Sequence, residues 1–168
     1  MKKLVALLAV ALSVSAFAQD RKVPPTANGI ALPAGYKDWQ VIAVSQRADS
    51  NTLRAIVGND VAVKAARAGK TNPWPEGAVI GKIVWKNAKD PLWAPATVPG
   101  EIVHVEFMLK DSKAYASTGT WGYARWRGMQ LEPYSKDATA NGAAAECFAC
   151  HGLAKGQDYV FTKPAALP

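Results

Sequence analysis

Residues 101–110 read Glu101-Ile102-Val103-His104-Val105-Glu106-Phe107-Met108-Leu109-Lys110. Apolar and polar side chains alternate, which is the period of a β-strand with one face on a core. Val103, Val105, Phe107 and Leu109 share the apolar face. His104, Glu106 and Met108 point the other way, together with Lys110, so this face reads as the more solvated one. Similar runs flank it on both sides. Residues 119–127 predict a strand with Trp121, Tyr123 and Arg125 opposite Gly122, Ala124 and Trp126. Residues 78–86 predict a third, and the intervening residues 87–100 hold three prolines and read as a loop.

Further toward the N-terminus, residues 39–46 and 53–58 are rich in β-branched residues and separated by a polar turn, the pattern of a hairpin. Asn59 and Asp60 offer helix caps and Gly69 a stop. Between them Val61, Ala62, Ala65 and Ala66 mark an apolar face, with Lys64 and Arg67 opposite. Residues 141–154 are Ala-rich and predict a second short helix. Several consecutive strands with a few short helices give an α+β single domain dominated by antiparallel sheet.

The chain has 168 residues, 49% hydrophobic and 20% charged. That balance excludes a disordered chain, a collagen-like repeat and a multi-span membrane protein. Residues 1–18 read as a secretory signal: Lys2 and Lys3, an apolar run, then Ala16-Phe17-Ala18 as a small-x-small cleavage pattern. The run is too short for the ~20 residues a membrane span needs. Cleavage leaves about 150 residues, and the formal charge falls from +7 to near +5. The expected compartment is the periplasm, with no membrane attachment after cleavage. Residues 19–35, with three prolines and two glycines, read as a flexible lead-in, and residues 36–168 as the folded domain. The scattered lysines and arginines do not form a nucleic-acid footprint.

Only two cysteines and two histidines are present, and three of the four lie together in Cys147-Phe148-Ala149-Cys150-His151. Cys-x-x-Cys-His is the attachment pattern of a c-type haem. Two thiols one helical turn apart can reach the two vinyl groups on one porphyrin edge. The adjacent histidine can serve as the proximal iron ligand. A structural disulfide, a redox-active pair and half a zinc site are the competing readings. A redox pair of the thioredoxin kind usually opens a helix near the start of its fold. A closed zinc site needs four ligands, and only His151 and the distant His104 remain. With the secretory signal, the motif favours one haem c, bound through Cys147 and Cys150 with His151 on the metal and attached near the C-terminus. His104, Met108 and Met129 are the candidate sixth ligands, with His104 read first as a solvent-facing strand residue. If none of them ligates, the iron keeps an open position.

Lys82 is unusual. It stands in Val79-Ile80-Gly81-Lys82-Ile83-Val84-Trp85, apolar on both faces. Burial would favour its neutral, nucleophilic amine. By pattern alone, a lysine snorkelling from a strand edge is the simpler account.

The segments Thr52-Leu53-Arg54-Ala55-Ile56-Val57-Gly58-Asn59, Ala65-Ala66-Arg67-Ala68-Gly69-Lys70 and Asn72-Pro73-Trp74-Pro75-Glu76-Gly77-Ala78-Val79-Ile80-Gly81-Lys82 together resemble the cytochrome P-460 family. Trp121-Gly122-Tyr123-Ala124-Arg125-Trp126 and the terminal haem motif extend the resemblance to about residues 36–159. It implies a periplasmic, mostly antiparallel β, homodimeric protein with one five-coordinate haem c. In cytochrome P-460 proper a lysine is also bonded to a meso carbon of the porphyrin, and hydroxylamine is oxidised. The cytochrome c′-β branch lacks that crosslink and binds nitric oxide. Lys82 matches the crosslinking position. Lys70, at a helix end before the turn, is the competing candidate. The implied function is oxidation of hydroxylamine, or transformation of small nitrogen oxides, at an open haem iron, with electrons passed to a periplasmic acceptor. The alternatives are a nitric oxide binder without turnover and a simple electron-transfer cytochrome c. Oxidation needs an acid/base group near the iron, and Glu106 and Arg125 are the candidates beside Lys82. Arg54 or Arg125 could pair with a haem propionate. Trp74, Trp85, Trp121 and Trp126 are read as core or haem-packing groups. Gly122 and Ala124 are read as small residues that let a flat macrocycle approach the sheet.

Overall fold

A computed structural model of the chain describes residues 22–134 and 142–168. The proposed signal, residues 1–18, lies outside them. Among the described residues, six strands form one antiparallel sheet whose spatial order follows the chain: β1 (Gln40–Arg47), β2 (Thr52–Gly58), β3 (Val79–Lys89), β4 (Thr97–Lys110), β5 (Trp121–Arg127) and β6 (Glu132–Pro133). Two α-helices, α1 (Asp60–Arg67) and α2 (Gly142–His151), accompany it. This is the α+β, sheet-dominated domain that the succession of strands with a few short helices predicts.

The connection of residues 87–100 departs from expectation. Asn87, Ala88 and Lys89 pair with Pro99, Val98 and Thr97, so β3 and β4 continue as a two-stranded arm beyond the rest of the sheet. The prolines argued against strand here. A two-stranded arm leaves one side of each backbone unpaired, and a missing N–H is tolerated there.

The sheet separates two cores. On one face, Val105, Phe107, Ala124 and Trp126 are buried under Ile30 and Tyr36, which belong to the N-terminal segment and the 3₁₀ turn Tyr36–Asp38. Trp126 Nε1 donates to the Pro24 carbonyl at 3.0 Å, and Asn28 Nδ2 donates to the Tyr123 carbonyl at 2.9 Å. Docking of the lead-in therefore begins near its described start, well before Tyr36. On the other face, Ile42, Ile56, Ile80, Met108, Trp121 and Tyr123 form one core with the buried residues of α1, and Cys147, Phe148 and Tyr159 join it from the C-terminal segment.

Helix α1 begins where Asn59 Oδ1 accepts from the backbone N–H of Ala62 at 3.0 Å. The same oxygen accepts from Val79 N at 3.0 Å, and Asn59 Nδ2 donates to the Gly77 carbonyl at 2.9 Å. One side chain thus caps the helix and ties it to the start of β3. The buried face is Ala62, Val63, Ala65 and Ala66, with Val61 exposed. Three of the four expected residues are buried, and Val63 takes the place of Val61 on the buried face.

Candidate functional site

The register assembles the site face row by row, because directly paired residues of a sheet project to the same side. Ile56 pairs with Lys82, Lys82 with Glu106, and Glu106 with Arg125. One row further along are Arg54, Val84, His104 and Arg127. On the opposite side of the charged row, Ile80, Met108 and Tyr123 align. After them come Lys110 and Trp121. Successive rows are two residues apart, about 7 Å along the strands. Helix α2 and the 3₁₀ segment Gly152–Gln157 lie over this face.

Glu106 is the centre of the charge cluster. Its carboxylate pairs with Lys82, receives Arg125 Nε at 2.7 Å and stands 3.2 Å from His104 Nε2. Burial alone would raise its pKa, but Lys82, then Arg125 and His104, outweigh that and hold it at about 2. His104 is pushed down to about 4, first by burial, with Arg125, Lys82 and Arg54 adding to the effect against the attraction of Glu106. His104 is therefore a neutral, half-buried member of the cluster and not the solvent-facing residue of the sequence reading. Arg125 also reaches Glu146 of α2 at 3.4 Å, which links the cluster to the cysteine helix. Both candidate acid/base residues and Lys82 are thus brought together by a single row of the sheet.

Cys147, Cys150 and His151 are spaced i, i+3, i+4 and share one side of α2. The thiols are not disulfide-bonded. Cys147 is half-buried and its pKa is pushed up to about 11, chiefly by burial. His151 Nδ1 lies 2.6 Å from the Tyr159 carbonyl. A carbonyl only accepts, so Nδ1 carries the proton and Nε2 is the nitrogen left to act as a ligand. The imidazole packs on Tyr123 at 5.1 Å and Phe161 at 5.2 Å between ring centroids. Burial lowers the pKa of His151, which keeps it in the neutral, ligating form.

Other candidates are distributed differently. Met108 is buried in the core of the site face, whereas Met129 is 76% exposed in the turn after β5. Arg54 is half-buried, and its Nε has no hydrogen-bond partner among the described residues. The Tyr123 hydroxyl is likewise buried and unpartnered. Both atoms face the helix side of the sheet, where an added group with acceptor oxygens would find them.

Gly122 and Ala124 lie on the opposite face, and this corrects the expectation that they admit a macrocycle. A Cβ on Gly122 would meet the Tyr115 ring at 2.4 Å, so its small size makes room for that ring. Ala124 packs in the cluster with Phe107 and Trp126. Trp126 is also on that far face, whereas Trp74 and Trp121 are core residues of the site face.

The sequence reading missed Lys110, Asp158 and Tyr159. Lys110 ends an alternating strand and looks like a surface cation, yet it is buried against Asp158. Tyr159 contributes through its backbone carbonyl, which no side-chain pattern reports.

No curated protein matches the chain. The sequence profile of the family described as Cytochrome P460 matches residues 33–162. Among the described residues, no helix is long and apolar enough to cross a membrane. The family is one of haem cytochromes, and the histidine with a committed Nδ1, beside two thiols on one helical face, has the donors such a group requires. The chain belongs to the cytochrome P460 family.

Proposed function

We propose that this protein is a periplasmic mono-haem c cytochrome that oxidises hydroxylamine or transforms a related small nitrogen oxide. Cys147 and Cys150 would hold the haem through thioether bonds, and His151 Nε2 would ligate its iron. The observation that carries this reading is the His151 geometry: Nδ1 committed to the Tyr159 carbonyl at 2.6 Å, on the same helical side as both thiols. Arg54, with its unpartnered Nε, is the residue to meet a propionate, since Arg125 is already engaged by Glu106 and Glu146. A haem bound there would supply an iron able to bind a small ligand and exchange electrons with it.

The chain's own residues supply the rest. Glu106 accepts substrate protons as the carboxylate. While Lys82 and Arg125 both pair with it, it stays ionised and only weakly basic. Lys82 occupies the family's crosslinking position. Loss of the Lys82 charge would remove one of those two cations and make Glu106 a stronger base. Arg125 keeps the carboxylate aimed and joined to α2 through Glu146. The family resemblance further supports a homodimer and a periplasmic electron acceptor.

Intact-mass analysis of the mature holoprotein tests the attachment: one haem mass is expected, lost in Cys147→Ala/Cys150→Ala. Retention of covalent haem by that variant would sink the reading. Incubating the ferric protein with hydroxylamine and an artificial acceptor tests the activity. Steady acceptor reduction is expected, whereas a single stoichiometric spectral change would make the protein a nitric oxide binder of the cytochrome c′-β kind. Lys82→Ala should remove the red-shifted ferrous absorption and any additional covalent attachment of the polypeptide to the haem. A wild-type spectrum without that band would mean that Lys82 is not crosslinked.

A further inference from the structure

Behind His151 lies an ion pair that the proposed chemistry does not use. Lys110 Nζ contacts both carboxylate oxygens of Asp158 at 2.7 Å, with side chains only 6% and 10% exposed. Asp158 Oδ2 also accepts from the backbone N–H of Trp74 at 2.8 Å, and the Asp158 carbonyl accepts from Trp121 Nε1 at 2.8 Å. Three separate parts of the fold therefore grip one residue: β4, β5 and the turn before β3.

That residue sits in an unfavourable backbone conformation. Asp158 has φ 51° and Tyr159 φ 63°, two consecutive non-glycine residues in the left-handed region. Such a pair persists only when the surroundings over-determine it. The result of the conformation is specific: it turns the Tyr159 carbonyl toward His151 Nδ1. The Tyr159 ring is held as well, packed over Gly119, where a Cβ would come within 2.4 Å of it, and against Phe148 at 5.4 Å. A buried ion pair adds little net stability compared with an apolar pair of the same shape. Its value here is geometric.

We infer that Lys110 and Asp158 form a latch that aims the Tyr159 carbonyl at His151, so that they are positioning residues for the proximal ligand. A well-aligned Nδ1–H···O=C bond gives the imidazole more anionic character and makes it a stronger donor to iron, which favours the ferric state. Without the latch, the two left-handed residues relax and the carbonyl loses its aim. The inference rests on the reading of His151 as the iron ligand.

The test uses the full-length holoprotein with two variants. Lys110→Met removes the cation while keeping the stem. Asp158→Asn keeps the size, tolerates the left-handed conformation and can still accept from Trp74 N–H. The readouts are the iron–imidazole stretching band of the ferrous protein by resonance Raman and the midpoint potential. Both variants should retain covalent haem by mass, show a broadened band shifted to lower frequency, and have a raised potential. Wild-type band and potential in Asp158→Asn with haem attached would overturn the latch, even if Lys110→Met failed to fold. Absence of an iron–imidazole band in the wild type would overturn instead the assignment of His151, which separates the two failures.

Discussion

Glu106 shows how much one strand position can carry. It is mostly buried, yet Lys82, Arg125 and His104 converge on it, so the carboxylate stays ionised. Removing the charge in Glu106→Gln leaves two cations facing each other without an anion between them. A loss of about 2–4 kcal/mol is expected, below the full cost of breaking a buried pair because the cluster keeps some water access. Urea denaturation of the variant checks this. The same variant should lower hydroxylamine-dependent acceptor reduction on the order of 10²-fold, the usual scale of a lost proton acceptor. The cluster also sets a pH response. Both shifted groups have depressed pKa values, so the folded protein binds fewer protons than the unfolded chain. The His104 contribution is fully present above about 6.5 and is lost as pH falls toward about 4. The Glu106 contribution follows, lost between the ordinary carboxylate range and about 2. Denaturation midpoints measured at pH 7, 5.5, 4 and 3 should fall throughout, and His104→Gln should flatten the segment between 6.5 and 4. A midpoint independent of pH over that range would contradict the placement of both residues.

At the scale of elements, the junctions are made by single polar side chains. Asn59 joins α1 to the start of β3 through three hydrogen bonds, two accepted at Oδ1 and one donated from Nδ2. Asn59→Ala should cost about 2 kcal/mol, a cap together with a tertiary bond, measured by thermal or urea denaturation. Glycines in the strands act differently, by admitting a neighbour. Gly122 accommodates the Tyr115 ring and Gly81 the Phe107 ring, where a Cβ would approach to 2.4 and 2.8 Å. Gly122→Ala should destabilise by about 1–3 kcal/mol through overpacking, and combination with Tyr115→Ala should recover part of that loss. Additive losses in the double variant would show that Tyr115 is not the obstacle. Helix α2 differs from α1 in what fixes it. Cys147 and Phe148 pack on the site-face core, and Glu146 meets Arg125.

For the molecule as a whole, one sheet separates a face that stabilises from a face that works. The N-terminal segment covers the first, with Ile30 and Tyr36 over Phe107 and Trp126. Deleting residues 22–32 from the mature chain should therefore destabilise the fold by several kcal/mol without altering any site residue, since Ile30 burial and the Pro24–Trp126 bond are both lost. Circular dichroism and denaturation of the truncated chain check this, and an unchanged midpoint would mean that the segment is dispensable. The other face carries a polar cluster in one row and, two rows along, Lys110 and Trp121, which grip Asp158 beside the His151 surroundings. Between them Met108 and Tyr123 form an apolar partition.

Much was legible in the chain itself. The alternation of residues 101–110 defined a two-faced strand, and the meander of hairpins followed from short β runs with polar turns. Cys147, Cys150 and His151 were readable because spacing along a helix is a local property. Lys82, Glu106 and Arg125 could be named singly, but their union could not, because strand register is a non-local quantity set by packing. The same reason hid the far-face position of Gly122 and Ala124 and the continuation of β3 and β4 past the prolines. Lys110 and Asp158 were the most hidden. Forty-eight residues separate them in the chain, and a terminal strand lysine and a turn aspartate look solvated until tertiary packing removes the water. The sequence alone determined which atoms can bind. Tertiary structure decided which of them share a face, which are buried, and which carbonyl holds His151, because burial and alignment come from contacts between distant segments.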